Sequence, residues 1–324
     1  MAKQANLNSI MRDAAAQIMK AERILIVSHV NPDGDTIGSL LALGLGLLSI
    51  DKTVVMVSPD AMPTRYSFLP GSELVLDHMR GKADLGIAVD CGSLKQLGRF
   101  GKVFKQIKNS YQIDHHDFAD SFCKHLIADP NAAAVGEIIY DLLKVLEVEI
   151  TPVIATCILT SIIVDTGSFR FSNIRPRTFR ICADLLDRGV DLKYLIEESY
   201  WKKTESTVRL EALSVTNMKF ERNGKLVWSH VKQSHFKKFN GDLADVDGVA
   251  DDLRAIEGVK IAVVFREEAR GMCRVSIRSA AGINVAKVAQ SFGGGGHHNS
   301  AGCRITNTKV RINKLIQMLS HIIL

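Results

Sequence analysis

The chain has 324 residues, enough for about two domains of roughly 150 residues each. Its 46% hydrophobic and 23% charged content excludes a disordered, collagen-like or coiled-coil protein. The formal charge of +6 is unevenly spread: residues 1–200 carry 21 Lys and Arg against 24 Asp and Glu, whereas residues 201–324 carry 20 against 11.

A basic C-terminal part suits an anionic ligand such as a nucleotide or nucleic acid, with solvated surface lysine as the bland alternative. The apolar stretches at 40–50 and 152–164 fall short of the roughly 20 residues a membrane helix needs. The N-terminus has no apolar core of signal-peptide type. Six scattered cysteines make neither a disulfide framework nor a CxxC metal site. A reducing, cytoplasmic setting without a membrane partner is expected.

In chain order, β-branched runs at 23–30, 52–58, 85–90, 111–113 and 125–128 read as strands. Helical patterns lie at 9–21, 37–50, 132–146, 152–164 and 176–187. Thr151 and Pro152 form an N-cap and first-turn pair, and Gly189 stops the last of these helices. The alternation predicts an α/β fold with a doubly wound, mostly parallel sheet over residues 1–190. A polar helical linker is expected over 191–220. A smaller α/β domain follows over 221–324, with strands at 225–231, 259–267 and 272–279, a helix at 285–292, a glycine run, and a closing helix after Lys309.

The first strand leads into Ser28-His29-Val30-Asn31-Pro32-Asp33-Gly34-Asp35-Thr36. The carboxyl ends of parallel strands open into the ligand crevice, so this loop aims its side chains where ligands bind. Pro32 is expected to hold Asn31 extended, and Gly34 to free the backbone between the two carboxylates. The bland alternative is an Asx turn with a capping Asp. LGIAV ends in Asp90-Cys91-Gly92-Ser93, and YQI ends in Asp114-His115-His116-Asp117. Three acidic strand ends in one sheet exceed what helix capping requires. Asp165 follows an apolar helix that should stop in the core, where a carboxylate is costly unless paired or metal-bound.

His29, Asp33, Asp35, Asp90, His115 and Asp165 thus form a set of four carboxylates and two imidazoles with no thiolate. That set suits Mn²⁺ better than Ca²⁺ or structural Zn²⁺. Six ligands are more than one ion normally takes from a protein, and two ions about 3.5–4 Å apart are the arrangement used for phosphoester hydrolysis. A binuclear hydrolase follows.

The runs HVNPDGDTIGS, VDCGS, IDHH and VDTGSF, in this order, resemble the four motifs of the DHH phosphoesterase superfamily. GGGGHHNSAG resembles the glycine-rich motif of its DHH-associated substrate domain. At this length the chain looks most like the subfamily that degrades nanoRNA and 3′-phosphoadenosine 5′-phosphate (pAp). The resemblance implies that His29 and Asp33 hold one Mn²⁺, that Asp35, His115 and Asp165 hold the other, and that Asp90 bridges them. Mg²⁺ or Co²⁺ are substitutes. A hydroxide between the ions would attack phosphorus in line, while His116 protonates the leaving oxygen or stabilises the phosphoryl charge or, in the alternative, only orients ligands.

The second domain would select the substrate. Arg278, in the strand RVSIRS, offers a planar fork for phosphate. The amides of Gly294, Gly295 and Gly296, with His297, would press on the same group. A flexible loop is the alternative for the glycine run, and His298 has no fixed role. His78, His125, His230, His235 and His321 stand outside any motif. The implied substrates are short oligoribonucleotides and pAp, and a homodimer stays open. Linear dinucleotides (pGpG or pApA) are the nearest alternative substrate, and a non-catalytic RNA-binding protein is the alternative from another class.

Overall fold

The computed structural model describes residues 2–79, 81–116 and 121–323, so Asp117 lies outside it. The chain forms two compact units, Met1–Lys202 and Lys203–Leu324.

The first unit opens with helix α1 (Ala2–Lys20), strand β1 (Arg23–Val27), helix α2 (Gly34–Leu48), strand β2 (Thr53–Val57) and the two-residue strand β3 (Val75–Leu76). Strand β4 (Leu85–Val89), a 3₁₀ turn at Leu94–Phe100, helix α3 (Gly101–Phe104), β5 (Asn109–Asp114) and β6 (His125–Ala128) follow. Helices α4 (Val135–Val145), α5 (Pro152–Asp165), α6 (Pro176–Asp187) and α7 (Leu192–Ile196) complete it. The six strands lie in the order β3-β2-β1-β4-β5-β6, each pair parallel. All five residues of LGIAV are buried, as expected of a parallel strand covered on both faces. The chain winds outward from β1 through β2 to β3, then returns to place β4 on the other side of β1. The order reverses there, so the crevice opens at the carboxyl ends of β1, β4 and β5.

Helices α2 and α5 pack closely because Gly38 has no side chain: a Cβ there would stand 2.5 Å from the Cys157 carbonyl oxygen. Thr151 caps α5 by accepting from the Ile154 amide, and Gly189, at φ 92°, follows α6.

Two local expectations for the first loop are corrected. Asn31 is not extended but has φ 52°, with its amide donating to Asp60 Oδ2 at 2.7 Å. Gly34 is the first residue of α2, and its role is steric. A Cβ there would lie 2.5 Å from Val164 and 2.9 Å from the Tyr66 ring.

The second unit begins with α8 (Glu205–Thr216), capped by the Thr204 side chain, and β7 (Lys219–Glu221). It continues through β8 (Leu226–Val231), α9 (Gln233–Phe239), α10 (Val249–Arg254), β9 (Ile261–Glu267) and β10 (Met272–Ser279). It closes with α11 (Ala286–Ser291), β11 (Gly295–Gly296), β12 (Ser300–Thr306) and α12 (Lys309–His321). Its strand order is β11-β12-β10-β9-β8-β7, antiparallel except for the β8–β9 pair. Over 191–220 the chain forms a helix pair, α7 and α8, rather than one helix. A π turn at Glu197–Trp201 ends the first piece, the chain leaves helical geometry before Thr204, and residues 219–221 are strand. Strand β12 and helices α9 and α10 were not legible from the pattern of apolar residues.

Candidate metal centre

Every metal-ligand candidate lies at the predicted crevice of the first unit. Asp33 caps α2, accepting from the Thr36 amide at 3.0 Å, and Asp35 lies buried in the first turn of the same helix. His29 follows β1, Asp90 follows β4, His115 follows β5, and Asp165 is the last residue of α5. Asp90 has φ 58°, a left-handed conformation that costs a non-glycine residue about 1–3 kcal/mol. Its amide nevertheless donates to Ile113 O at 2.8 Å, which holds the turn against the neighbouring strand.

Within the first unit, three sets of donor atoms among the described residues each lie within 4.8 Å of one another: His29, Asp33 and Asp90; Asp35, His115 and Asp165; and Asp90, Asp114 and His116. Asp90 belongs to two of them. His29 Nε2 is 3.4 Å from Asp90 Oδ2, and His115 Nε2 is 3.5 Å from Asp35 Oδ2 and 3.4 Å from Asp165 Oδ2. Each imidazole is oriented from behind. Nδ1 of His29 donates to Val30 O at 2.7 Å, and Nδ1 of His115 to Ala132 O at 3.1 Å. That tautomer turns Nε2 of both rings toward the carboxylates, as a ligating histidine requires.

The charge balance points the same way. Burial pushes the Asp165 carboxyl up to about 6 even though His115 opposes it, and Asp35 is raised well above its usual range by burial and by Asp90. Burial would lower His29, but Asp90 and Asp33 outweigh it and raise the ring to about 9. Asp90 is buried too, yet the neighbouring histidines hold its carboxyl below the usual range. Asp90 Oδ1, Asp114 Oδ2 and Asp165 Oδ2 are buried and accept no hydrogen bond. Buried carboxylate oxygens left without donors, beside two imidazoles that turn Nε2 toward them, fit divalent cations.

Thr36, Ser39 and Ser161 carried no sequence signal of their own. Thr36 Oγ1 lies 2.6 Å from Asp90 Oδ2 and 3.1 Å from Asp33 Oδ1. Asp35 accepts from Ser161 Oγ at 2.5 Å, Ser39 Oγ at 3.1 Å and the Val135 amide at 3.0 Å. Asp114 takes the His116 amide at 3.0 Å and its Nδ1 at 2.6 Å. Burial lowers His116, but Asp114 and Asp90 win and raise it to about 10. A protonated ring is thereby held at the edge of the cluster.

In the second unit, Arg278 Nε donates to Asp251 Oδ1 at 2.8 Å, so its fork is aimed by a carboxylate from α10. The four glycines are not equivalent. The Gly293 and Gly294 amides donate to Gln290 O and Ala289 O, closing α11, and a Cβ on Gly294 would stand 2.0 Å from Gly302 O. The expectation that the Gly294 amide meets a phosphate is corrected on that ground: it is already spent on the helix end. Gly295 faces open space with no positive φ, while Gly296 has φ 129° and would bring a Cβ within 2.5 Å of Ser300 O. His297 follows in a turn, its amide donating to Ser300 O at 2.8 Å.

Residues 23–162 match the DHH family, N-terminal domain, and residues 223–324 match the DHHA1 domain. The chain is 33% identical to the bifunctional oligoribonuclease and PAP phosphatase NrnA of Thermus thermophilus, over 90% of this chain and 87% of that protein. It is 26% identical to the NrnA of Bacillus subtilis, over 88% and 90%. An exopolyphosphatase-related protein from Bacteroides fragilis superposes with a TM-score of 0.88 at 27% identity, over 96% and 95% of the two chains. Among the described residues no helix is long and apolar enough to cross a membrane. With both matched domains in sequence order and a histidine–aspartate cluster at the switch point of the sheet, the chain belongs to the DHH family of phosphoesterases.

Proposed function

We propose that the protein hydrolyses short oligoribonucleotides to mononucleotides and pAp to AMP and phosphate, using two Mn²⁺ ions. The observation that carries this reading is the cluster of buried Asp35, Asp90 and His115 with half-buried His29, Asp33 and Asp165, in a chain whose relative from T. thermophilus is named for both activities. His29 and Asp33 would hold one ion and Asp35, His115 and Asp165 the other, with Asp90 available to both. When bound, the ions supply positive charge to the phosphoryl group in its transition state and activate water.

The chain's own residues do the rest. The Val30 and Ala132 carbonyls fix the ligating tautomers, and Ser161, Ser39 and the Val135 amide fix Asp35. His116, protonated and steadied by Asp114, gives its proton to the leaving oxygen. Arg278, Gly295, Gly296 and His297 recognise the substrate's phosphate, with Arg278 aimed by Asp251.

Product analysis on RNAs of two to twenty nucleotides, pAp, pGpG and pyrophosphate tests the reading. Rapid conversion of the shortest RNAs and of pAp, with little on the long ones, is expected. Turnover of pyrophosphate alone would overturn it.

A further inference from the structure

The second unit contains a basic cavity remote in sequence from the glycine run. It has a volume of about 620 Å³, within the roughly 300–1,000 Å³ typical of small-molecule sites. Its walls come from β8, the start of β7, the α9 segment and the first turns of α12. Lys219, Lys232 and Lys309 stand around it, with Trp228 and His230 from alternate positions of β8 and Asn313 from α12.

Three observations describe what it would take. First, the charge is one-sided. The carboxylate beside it, Glu267, is already engaged: it accepts from the Gln233 amide at 2.9 Å and from Asn307 Nδ2 at 2.7 Å, with His230 Nε2 at 3.3 Å. Three ammonium groups therefore face one satisfied carboxylate. Second, α12 starts at this cavity with no acidic side chain in its first turn, so the positive end of its dipole adds to the lysines. Third, a ring nitrogen in the cavity wall, Trp228 Nε1, is buried and makes no hydrogen bond. An indole N–H has no other chemistry than to donate, and leaving it buried without an acceptor is costly. Lys219 Nζ sits 4.9 Å from the centroid of the same indole, so charge and aromatic surface meet at one place.

We infer that this cavity is a second ligand site, for a phosphate-bearing molecule of about mononucleotide size, held by Lys219, Lys232 and Lys309 with the Trp228 indole as a neutral donor. A cavity of this volume is far larger than free phosphate needs, which favours an organic phosphate. The site does not depend on the catalytic reading, since none of its residues belongs to the metal centre or to the glycine run.

Trp228 reports on it directly. The sequence has two tryptophans, and Trp201→Phe leaves Trp228 as the only indole. In full-length Trp201→Phe protein, AMP should change Trp228 fluorescence saturably, adenosine should not, and inorganic phosphate should compete at higher concentration. The double substitution Lys232→Glu and Lys309→Glu should weaken AMP at least tenfold without lowering the melting temperature. Asp90→Asn should leave the AMP titration unchanged, which separates this site from the metal centre. Equal responses to adenosine and AMP, an unaltered titration in the double variant, or no saturable response at all would overturn the inference. Should the double variant fail to fold, Lys219→Gln with the same titration decides, because it removes one charge from an exposed position.

Discussion

Ser161 Oγ donates to Asp35 Oδ1 at 2.5 Å across 126 positions of sequence, and the same hydroxyl accepts from the Gly136 amide at 2.9 Å. One side chain on α5 thereby ties a proposed metal ligand on α2 to the start of α4. The tie depends on Gly38, whose missing Cβ lets α2 and α5 approach.

Ser161→Ala removes both hydrogen bonds but leaves Ser39 and the Val135 amide on Asp35. Loss of such support behind a ligand commonly costs 10- to 100-fold in metal affinity, and a buried amide left unpaired costs about 1–3 kcal/mol. Calorimetric Mn²⁺ titration should show the weaker site, and a thermal melt the lower stability. Unchanged Mn²⁺ affinity would remove Ser161 from the account.

The glycine run separates into packing and ligand positions. Gly294→Ala drives a Cβ into Gly302 O and should destabilise the second unit by about 1–3 kcal/mol. Gly295→Ala meets nothing and needs no unusual φ, so its melting temperature should stay near that of the unaltered protein. If a substrate phosphate presses on Gly295, as proposed, dinucleotide kcat/KM falls all the same. Paired melts and kinetics on the two variants check both statements, and a stable, fully active Gly295→Ala would reduce that residue to a spacer.

Much of this arrangement was legible in the sequence because its signals are local. An apolar run ending in Asp or His marks a strand and its carboxyl end together, which is how His29, Asp90 and His115 were found. Asp165 was found as a carboxylate at the end of an apolar helix. The supports were not legible: Thr36, Ser39 and Ser161 are ordinary hydroxyl residues until α2 and α5 are brought together. Strand β12 was hidden because SAGCRIT alternates weakly, with Gly302 and Arg304 between its buried positions. The left-handed φ of Asn31 defied a proline rule because a tertiary hydrogen bond to Asp60 holds it.

Arg278→Ala should lower kcat/KM for pAp and dinucleotides by the worth of a charge-assisted hydrogen bond, about 1.5–3 kcal/mol or roughly 10- to 150-fold. Its partner Asp251 is partly exposed and would be rehydrated, so stability should change little. Steady-state kinetics beside a melt checks this, and a large drop in melting temperature with unchanged kinetics would make the pair structural.

The most direct test of the metal-centred account is the number of Mn²⁺ ions bound per chain at saturation, measured by equilibrium dialysis with pAp hydrolysis followed on the same samples. Two ions are expected in the unaltered protein and fewer in Asp90→Asn, whose carboxylate belongs to two donor sets, with turnover abolished and the fold retained. Full pAp hydrolysis by chelator-treated protein, or two ions and normal turnover in Asp90→Asn, would contradict it.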